Sequence, residues 1–353
     1  MLTPAERVAA ALRREEPDRV PYCEVYLSRA FAGPLMGWPP AAAHANFEEN
    51  EFSLEEARAV AERFGMDNIT YVLRAPIFAD KVVGQDGTLF YGRGHVTSEA
   101  DLGMVRLPDP RDPALFREAA SFVAGKGPYS AWFITRIGIA PTMLSMGIEE
   151  FCLALYDNLP LVEQLLDRYV DWAEAVADQA CRLGFDVFVT TDDVGHRTGP
   201  FFSPAFFHDV VRPRLERVAR RITIPWLFHS DGDVTPFLDD LADLGVAAIQ
   251  PVEPRAMDIR AVKQAYGDRL CVCGNVDMDL LARGDPAEVD RTVRDLIRDV
   301  APGGGYIVTS GNSLAHYVRP ENAVAMASAV ARYGSYPIAT PDAGRAQGAG
   351  QVS

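Results

Sequence analysis

No uninterrupted apolar run in the 353-residue chain approaches the ~20 residues that a membrane-spanning helix needs. The opening MLTPAERVAAALRREEPDRVP lacks the apolar centre and small-residue cleavage site of a secretory signal, and reads as a charged amphipathic helix. A soluble, cytoplasmic protein without membrane contact is expected. Cysteine is scarce: five residues, an odd number at scattered spacing, do not make a disulfide framework and fit reduced thiols. Basic residues are outnumbered, 34 Lys and Arg against 49 Asp and Glu, for a formal net charge of -15. No Lys/Arg cluster with interleaved aromatics offsets the repulsion of a phosphate backbone, so nucleic acid is not an expected partner.

What the chain does have is material for a large core, 48% apolar residues against 24% charged. Short β-branched and aromatic runs alternate with stretches of helical period, the pattern of repeated βα units around a parallel sheet. Eight candidate strands cover 19–27, 67–76, 129–138, 186–195, 224–233, 247–254, 269–277 and 305–313. The expected fold is α/β: a single (β/α)8 TIM barrel over 1–340 with an N-terminal helical extension. The glycines and Asp-Gly step of GQDGTLFYGRG predict a small hairpin insertion within 80–100. SLEEARAVAERFG carries a Ser N-cap and ends in Gly65, and PAEVDRTVRDLIRDV starts with Pro in its first turn, so both predict helices. FAGPLMGWPP at 31–40 reads as a lid, an interface for a homodimer, or a packed loop. The Gly- and Ala-rich tail 341–353 predicts disorder.

The apolar runs of the second half end in chemically capable residues: Asp192 and Asp193, His229 and Asp231, Gln250 and Glu253, Cys273 and Asn275, Ser310 and Asn312. In a parallel barrel these ends share one rim, where active sites are built. A single strand-end Asp or Asn more often caps the next helix or closes a turn, so the weight rests on convergence. His229, in FHSDGD, is the expected centre, with Asp231, Asp193 and Glu24 as further acid or base groups. Tyr26, Arg136, Asp192, Gln250, Glu253, Asn275, Asn312 and His316 are candidate substrate contacts. Tyr26, Trp132 and Phe133 could floor a pocket, though ordinary core packing is the stronger reading for aromatics. His196 follows a rim segment; His44, His95 and His208 lie in helical or hairpin contexts explained by packing or solvent. The triple glycine at 303–305 precedes a strand instead of opening a helix, so it reads as a tight turn and not a phosphate loop.

FHSDGDVTPFLDDLADLGVAAIQPVEP with the following RLCVCGNVD, then APGGGYIVTSGNS, TTDDVGHRTGPFFSPAFFHDVV and the opening TPAERVAAALRREEPDRVP resemble the uroporphyrinogen decarboxylase superfamily in order along about 2–335. The resemblance implies a single (β/α)8 barrel and one of two chemistries. True decarboxylases carry an Arg-rich signature after the first strand. The matching CEVYLSRAFAGPLMG holds only Arg29, and the rim looks acidic, which favours the branch similar to methylcobalamin:coenzyme M methyltransferases. That branch implies a zinc site of His-x-Cys with a distant second Cys. Here His229 takes the histidine position, Asp231 replaces the first cysteine, and Asn312 lies near the second. An altered zinc site of His229, Asp231 and Cys273 is the expectation, zinc accepting nitrogen, oxygen and sulfur donors. Cys271 is assigned to packing, as are Cys23, Cys152 and Cys181. The resemblance thus implies methyl transfer or demethylation between a small methylated compound or thiol and a corrinoid. The chain has no Asp-x-His-x-x-Gly run of the cobalamin-binding kind, so a partner protein would carry the corrinoid. Cofactor-free decarboxylation and a non-catalytic subunit that binds a corrinoid protein are the alternatives.

Overall fold

The computed structural model of the chain describes residues 1–39, 48–85 and 88–338. Short runs rich in Val, Ile, Phe and Thr form β1 (Asn68–Val72), β4 (Ser130–Thr135), β5 (Val187–Thr191), β8 (Trp226–His229), β9 (Ala248–Gln250), β10 (Cys271–Cys273) and β11 (Tyr306–Ile307). They make one curled, seven-stranded sheet in the order β1-β4-β5-β8-β9-β10-β11, parallel at every pairing. Each crossover runs through helices, as parallel neighbours require. Every residue of β4, β5, β8, β9 and β10 is buried, which accounts for their near-continuous apolar sequences.

The expected first strand differs. Residues 19–27 form only isolated bridges, Tyr22 with Val308 and Leu27 with Leu314 in parallel sense, and Arg19 with Ser335 antiparallel. Pro21 has no N–H to give a ladder, and it only accepts, from Val308 N at 2.9 Å. On the other side the Asn68 side chain stands in for a strand, bonding Glu24 N at 3.1 Å and Glu24 O at 2.8 Å. The segment therefore lies between β11 and β1 without joining a regular ladder.

Alternation along the strands divides the core in two. Trp132, Ile134, Val189, Leu227 and Cys271 face inward, where Val8 and Leu12 of the helix Pro4–Leu12 pack against them. Phe133, Phe188 and Phe228 face outward to the surrounding helices. The hairpin appears as β2 (Ala79–Val83) and β3 (Leu89–Gly94), antiparallel. A Cβ on Gly94 would stand 2.1 Å from the carbonyl carbon of Met146, so glycine is what lets the hairpin dock on the helix Ile139–Met146. β6 (Gly195–His196) and β7 (Gly199–Pro200) make a second small hairpin.

The helices 54–64 and 286–300 are present as expected, with Ser53 and Asp285 as N-caps. Residues 31–36 belong to a helix, Arg29–Met36, capped by Ser28 and stopped by Gly37 at φ +68°. The three glycines at 303–305 all have positive φ and turn the chain into β11. His44 and the tail 341–353 lie outside the described residues. No helix among the described residues is long and apolar enough to cross a membrane.

Candidate functional site

β8 delivers His229 to the carboxyl rim of the sheet, in register with Gln250 of β9. Its Nδ1 lies 2.5 Å from Gln250 Oε1. The orientation of that amide is set from behind: Gln250 Nε2 donates to Thr309 Oγ1 at 3.2 Å, and Thr309 Oγ1 donates to Ser310 O at 2.7 Å. Gln250 therefore presents its oxygen, His229 Nδ1 carries the hydrogen, and Nε2 faces the rim. There it meets Asp193 Oδ1 and Asp231 Oδ1, each 3.8 Å away. These three donor atoms all lie within 4.8 Å of one another.

Two acids side by side are held against their own repulsion. Asp231 N donates to Asp193 Oδ1 at 3.1 Å, and Asn312 Nδ2 donates to Asp231 Oδ2 at 2.7 Å. Asp231 Oδ1 is buried and has no hydrogen-bond partner. Burial, then the charge of Asp193, pushes the Asp231 carboxyl up to about 6. An imidazole lone pair facing two carboxylates, one with an orphaned buried oxygen, is a donor set that a divalent cation would satisfy. Tetrahedral zinc with nitrogen and oxygen ligands at ~2.1 Å sets them roughly 3.4 Å apart, so the trio fits such an ion with a small closure and an open fourth position.

The trio lines one side of a cavity of about 410 Å³. Leu89, Phe90, Leu144 and Ile148 give it an apolar face, the first two from the hairpin strand β3. The other wall is charged. Arg74 and Arg136 follow β1 and β4 by two and one residues, and both reach Glu48, at 3.7 and 2.6 Å. Arg74 also donates to Thr191 Oγ1 at 2.9 Å. Burial, then repulsion from Arg136, pushes the Arg74 guanidinium down to about 10. Burial would raise Glu48, but Arg136 and Arg74 outweigh it and hold its carboxyl below the usual range.

Residues 95–333 match the family model described as uroporphyrinogen decarboxylase (URO-D). The chain belongs to the URO-D family. It is similar to a uroporphyrinogen decarboxylase of Methylococcus capsulatus, 26% identical over 252 residues that cover 67% of this chain and 70% of the relative. It is also similar to the methylcobamide:CoM methyltransferase MtaA of Methanosarcina barkeri, 27% identical over 173 residues, 49% of each chain. The match thus spans about half the length of that methyltransferase. A solved methyltransferase from Methanosarcina mazei shares the fold, with a TM-score of 0.76 at 21% identity over 94% of this chain and 99% of that one.

Within this URO-D family member the structure brings His229, Asp231, Asp193, Tyr26, Arg136 and Asn312 to one cavity. Gln250 stands behind His229, and Glu253 lines an adjoining cleft that shares Asp231 and Asn312, its Oε2 accepting from Gly232 N at 2.8 Å. Five expectations fall differently. Cys273 is not with the trio: it points into the apolar interior beside Cys271 and Cys23, where burial pushes its thiol well up, and Asp193 takes the third place. Asp192 is sealed off and accepts from three backbone N–H groups, of Ile137, Gly138 and Ala140. Glu24 is buried away from the cavity lining, against Ser310 N at 3.1 Å and Ser310 Oγ at 2.6 Å. Asn275 donates to Val252 O and borders a separate cleft, and His316 packs on Tyr317 outside the cavity lining. Trp132 and Phe133 are core.

Sequence reasoning missed Arg74, Glu48 and Thr191. Arg74 carried a usable signal, a cation directly after the apolar run NITYVL. Glu48 carried none, since nothing in ANFEENE distinguishes it from its acidic neighbours.

Proposed function

We propose that this chain moves a methyl group between a small methylated compound or thiol and a corrinoid carried by a partner protein. The observation that carries the reading is the trio of His229, Asp193 and Asp231, with Nε2 and an unpartnered carboxylate oxygen converging at the carboxyl rim. Similarity to the methylcobamide:CoM methyltransferase MtaA supports it from outside the structure. On this reading residues 19–27 occupy the eighth position of a (β/α)8 barrel and 1–340 act as one unit.

The residues that would hold zinc are His229 through Nε2 and the two aspartates through Oδ1. Bound there, zinc would lower the proton affinity of the methyl-accepting atom. The chain does the rest. Gln250 and Thr309 keep His229 in the tautomer whose Nε2 offers a lone pair, Asn312 turns Asp231 Oδ1 toward the trio, and the hairpin covers the apolar side and limits water.

A second reading, cofactor-free decarboxylation, gains from the buried Arg74 and Arg136, which suit a carboxylate. The cavity size opposes a tetrapyrrole substrate: about 410 Å³ is near the lower end of the roughly 300–1,000 Å³ typical of small-molecule sites.

The test is incubation of zinc-loaded protein with methylcobalamin and a panel of small thiols, following loss of the cobalt–methyl absorbance. Turnover in wild type that falls about 100-fold or more in Asp193→Asn is expected. Release of CO2 from uroporphyrinogen without methyl turnover would overturn the proposal in favour of the second reading. Neither activity, with tight capture of a corrinoid protein, would make the chain a binding subunit.

A further inference from the structure

β11 is only two residues long, and the chain that follows it runs on along the rim with little regular pairing to hold it. On the side of β10, Val276 N donates to Thr309 O at 3.2 Å and Gly311 N donates to Val276 O at 2.7 Å. On the other side, residues 19–27 pair as far as Val308, with Val308 N on Pro21 O at 2.9 Å and Cys23 N on Val308 O at 3.0 Å, and resume with Leu314 N on Tyr26 O at 3.2 Å. In a parallel ladder the next donor after Val308 in that register is Ser310 N. It goes to a side chain instead: Glu24 Oε1 accepts it at 3.1 Å, and Glu24 Oε2 lies 2.6 Å from Ser310 Oγ. The Glu24 backbone is bonded in turn to the Asn68 side chain of β1, its N at 3.1 Å and its O at 2.8 Å. Glu24 thus ties β1 to the continuation of β11 at the seam where the sheet has no ladder.

The stretch held in this way carries the supports of two of the three donors. Thr309 Oγ1 accepts from Gln250 Nε2, whose oxygen faces His229 Nδ1, and Asn312 Nδ2 donates to Asp231 Oδ2. Thr309 precedes Ser310 directly and Asn312 stands two residues after it, so a displacement of Ser310 moves both supports. We propose that Glu24 is a positioning residue for the trio: by gripping Ser310 it aims the Nε2 lone pair of His229 and the Oδ1 of Asp231 at one point. The proposal rests on the reading of the trio as the working site, and it adds a residue that touches neither metal nor substrate. Glu24 is 1% exposed and does not line the cavity. Its polar neighbours are Ser310 and the Tyr22 hydroxyl, and burial pushes its carboxyl up to about 8, so the protonated form prevails at pH 7. A neutral carboxyl offers one acceptor and one hydroxyl donor; a Gln side chain offers one acceptor and an amide donor in nearly the same shape. Groups that orient a ligand from behind typically change metal affinity by roughly 10- to 100-fold when removed.

The test compares full-length wild type with Glu24→Gln, Glu24→Met and Ser310→Ala, each first shown to unfold cooperatively in urea. Two quantities are read at pH 7. One is the His229 tautomer in metal-free protein, from imidazole nitrogen NMR with the His229 signals assigned by His229→Ala; the other is the zinc dissociation constant, from competition with a chromophoric chelator. Wild type is expected to hold the proton on Nδ1 and to bind zinc. Glu24→Met keeps the volume but removes both polar atoms, and should mix the two tautomers and weaken zinc by about 10- to 100-fold. Ser310→Ala keeps the N–H bond to Oε1 and loses the hydroxyl contact, so it should fall between the two. Glu24→Gln should restore the tautomer and a zinc affinity close to that of wild type. Wild-type tautomer and zinc affinity in folded Glu24→Met, or in Ser310→Ala where Glu24→Met does not fold, would overturn the positioning role, as would Glu24→Gln as impaired as Glu24→Met. A wild type that takes up no zinc, yet whose Nδ1–H tautomer is lost in Glu24→Met and kept in Glu24→Gln, would leave the positioning role standing and remove the metal reading.

Discussion

Glu24 and Asp231 are both carboxyl groups raised above their usual range, yet the molecule treats them differently. Asp231 sits among His229, Asp193 and Asn312 and is pushed up to about 6; Glu24 is buried beside Ser310 and Tyr22, and burial pushes it to about 8. With its carboxyl raised that far, Glu24 is mostly neutral in the folded protein at pH 7, its Oε2 lying 2.6 Å from Ser310 Oγ. An unfolded chain releases that proton near pH ~4.3. Because the folded value is the higher one, the stabilisation is fully present below about pH 4 and is lost as pH rises towards 8. Urea denaturation should show wild type losing on the order of 2–4 kcal/mol relative to Glu24→Gln between pH 5 and pH 8. Parallel pH dependence of the two proteins would mean that Glu24 is already charged in the fold. At this scale the sequence was readable for His229, Asp193, Asp231 and Asn312, because a polar residue at the carboxyl end of an apolar run faces the rim. It was not readable for Cys273 or Glu24, since alternation names a side chain's face but not its depth below the rim.

At the scale of elements, the helix Ile139–Met146 begins at Gly138, which offers no side chain as a cap. Asp192, arriving from the end of β5, supplies the missing acceptor, taking N–H groups from Ile137, Gly138 and Ala140 at 2.5, 3.0 and 3.2 Å. This helix also carries Leu144 of the cavity and packs against the hairpin strand β3, so its placement shapes the pocket. Asp192→Ala would leave three buried donors at a helix N-terminus and should cost about 2–4 kcal/mol, with Asp192→Asn costing less. Chemical denaturation measures this, and a loss below about 0.5 kcal/mol would show that other acceptors serve the helix. Strand-end Asp192 and Asp193 are neighbours in sequence with opposite fates, one structural and one in the cavity, because consecutive residues point to opposite sides. The hairpin was legible from its Gly and Asp-Gly steps. The helix Arg29–Met36 was not, since Gly33 and Pro34 in its body argued for a loop, while Ser28 and Gly37 at its ends were the signals that counted.

For the whole molecule, alternating β and α segments identified a parallel α/β sheet, and seven of the eight expected strands form its ladder. Pro21 and the Asn68 side chain explain why residues 19–27 bridge their neighbours without a ladder of their own. A net charge of -15 said little about the cavity, where two buried arginines stand across from the acidic trio. Global charge governs solubility and long-range encounter, whereas the site depends on which few groups the fold removes from water. The account's central claim is that His229, Asp193 and Asp231 hold one metal ion and that Cys273 has no part in it. Zinc per chain, measured by elemental analysis after loading and desalting wild type, His229→Ala, Asp193→Asn and Cys273→Ala, tests this directly. The account predicts one zinc per chain in wild type and Cys273→Ala and little in the other two; no zinc in wild type, or loss of zinc in Cys273→Ala with retention in Asp193→Asn, would contradict it.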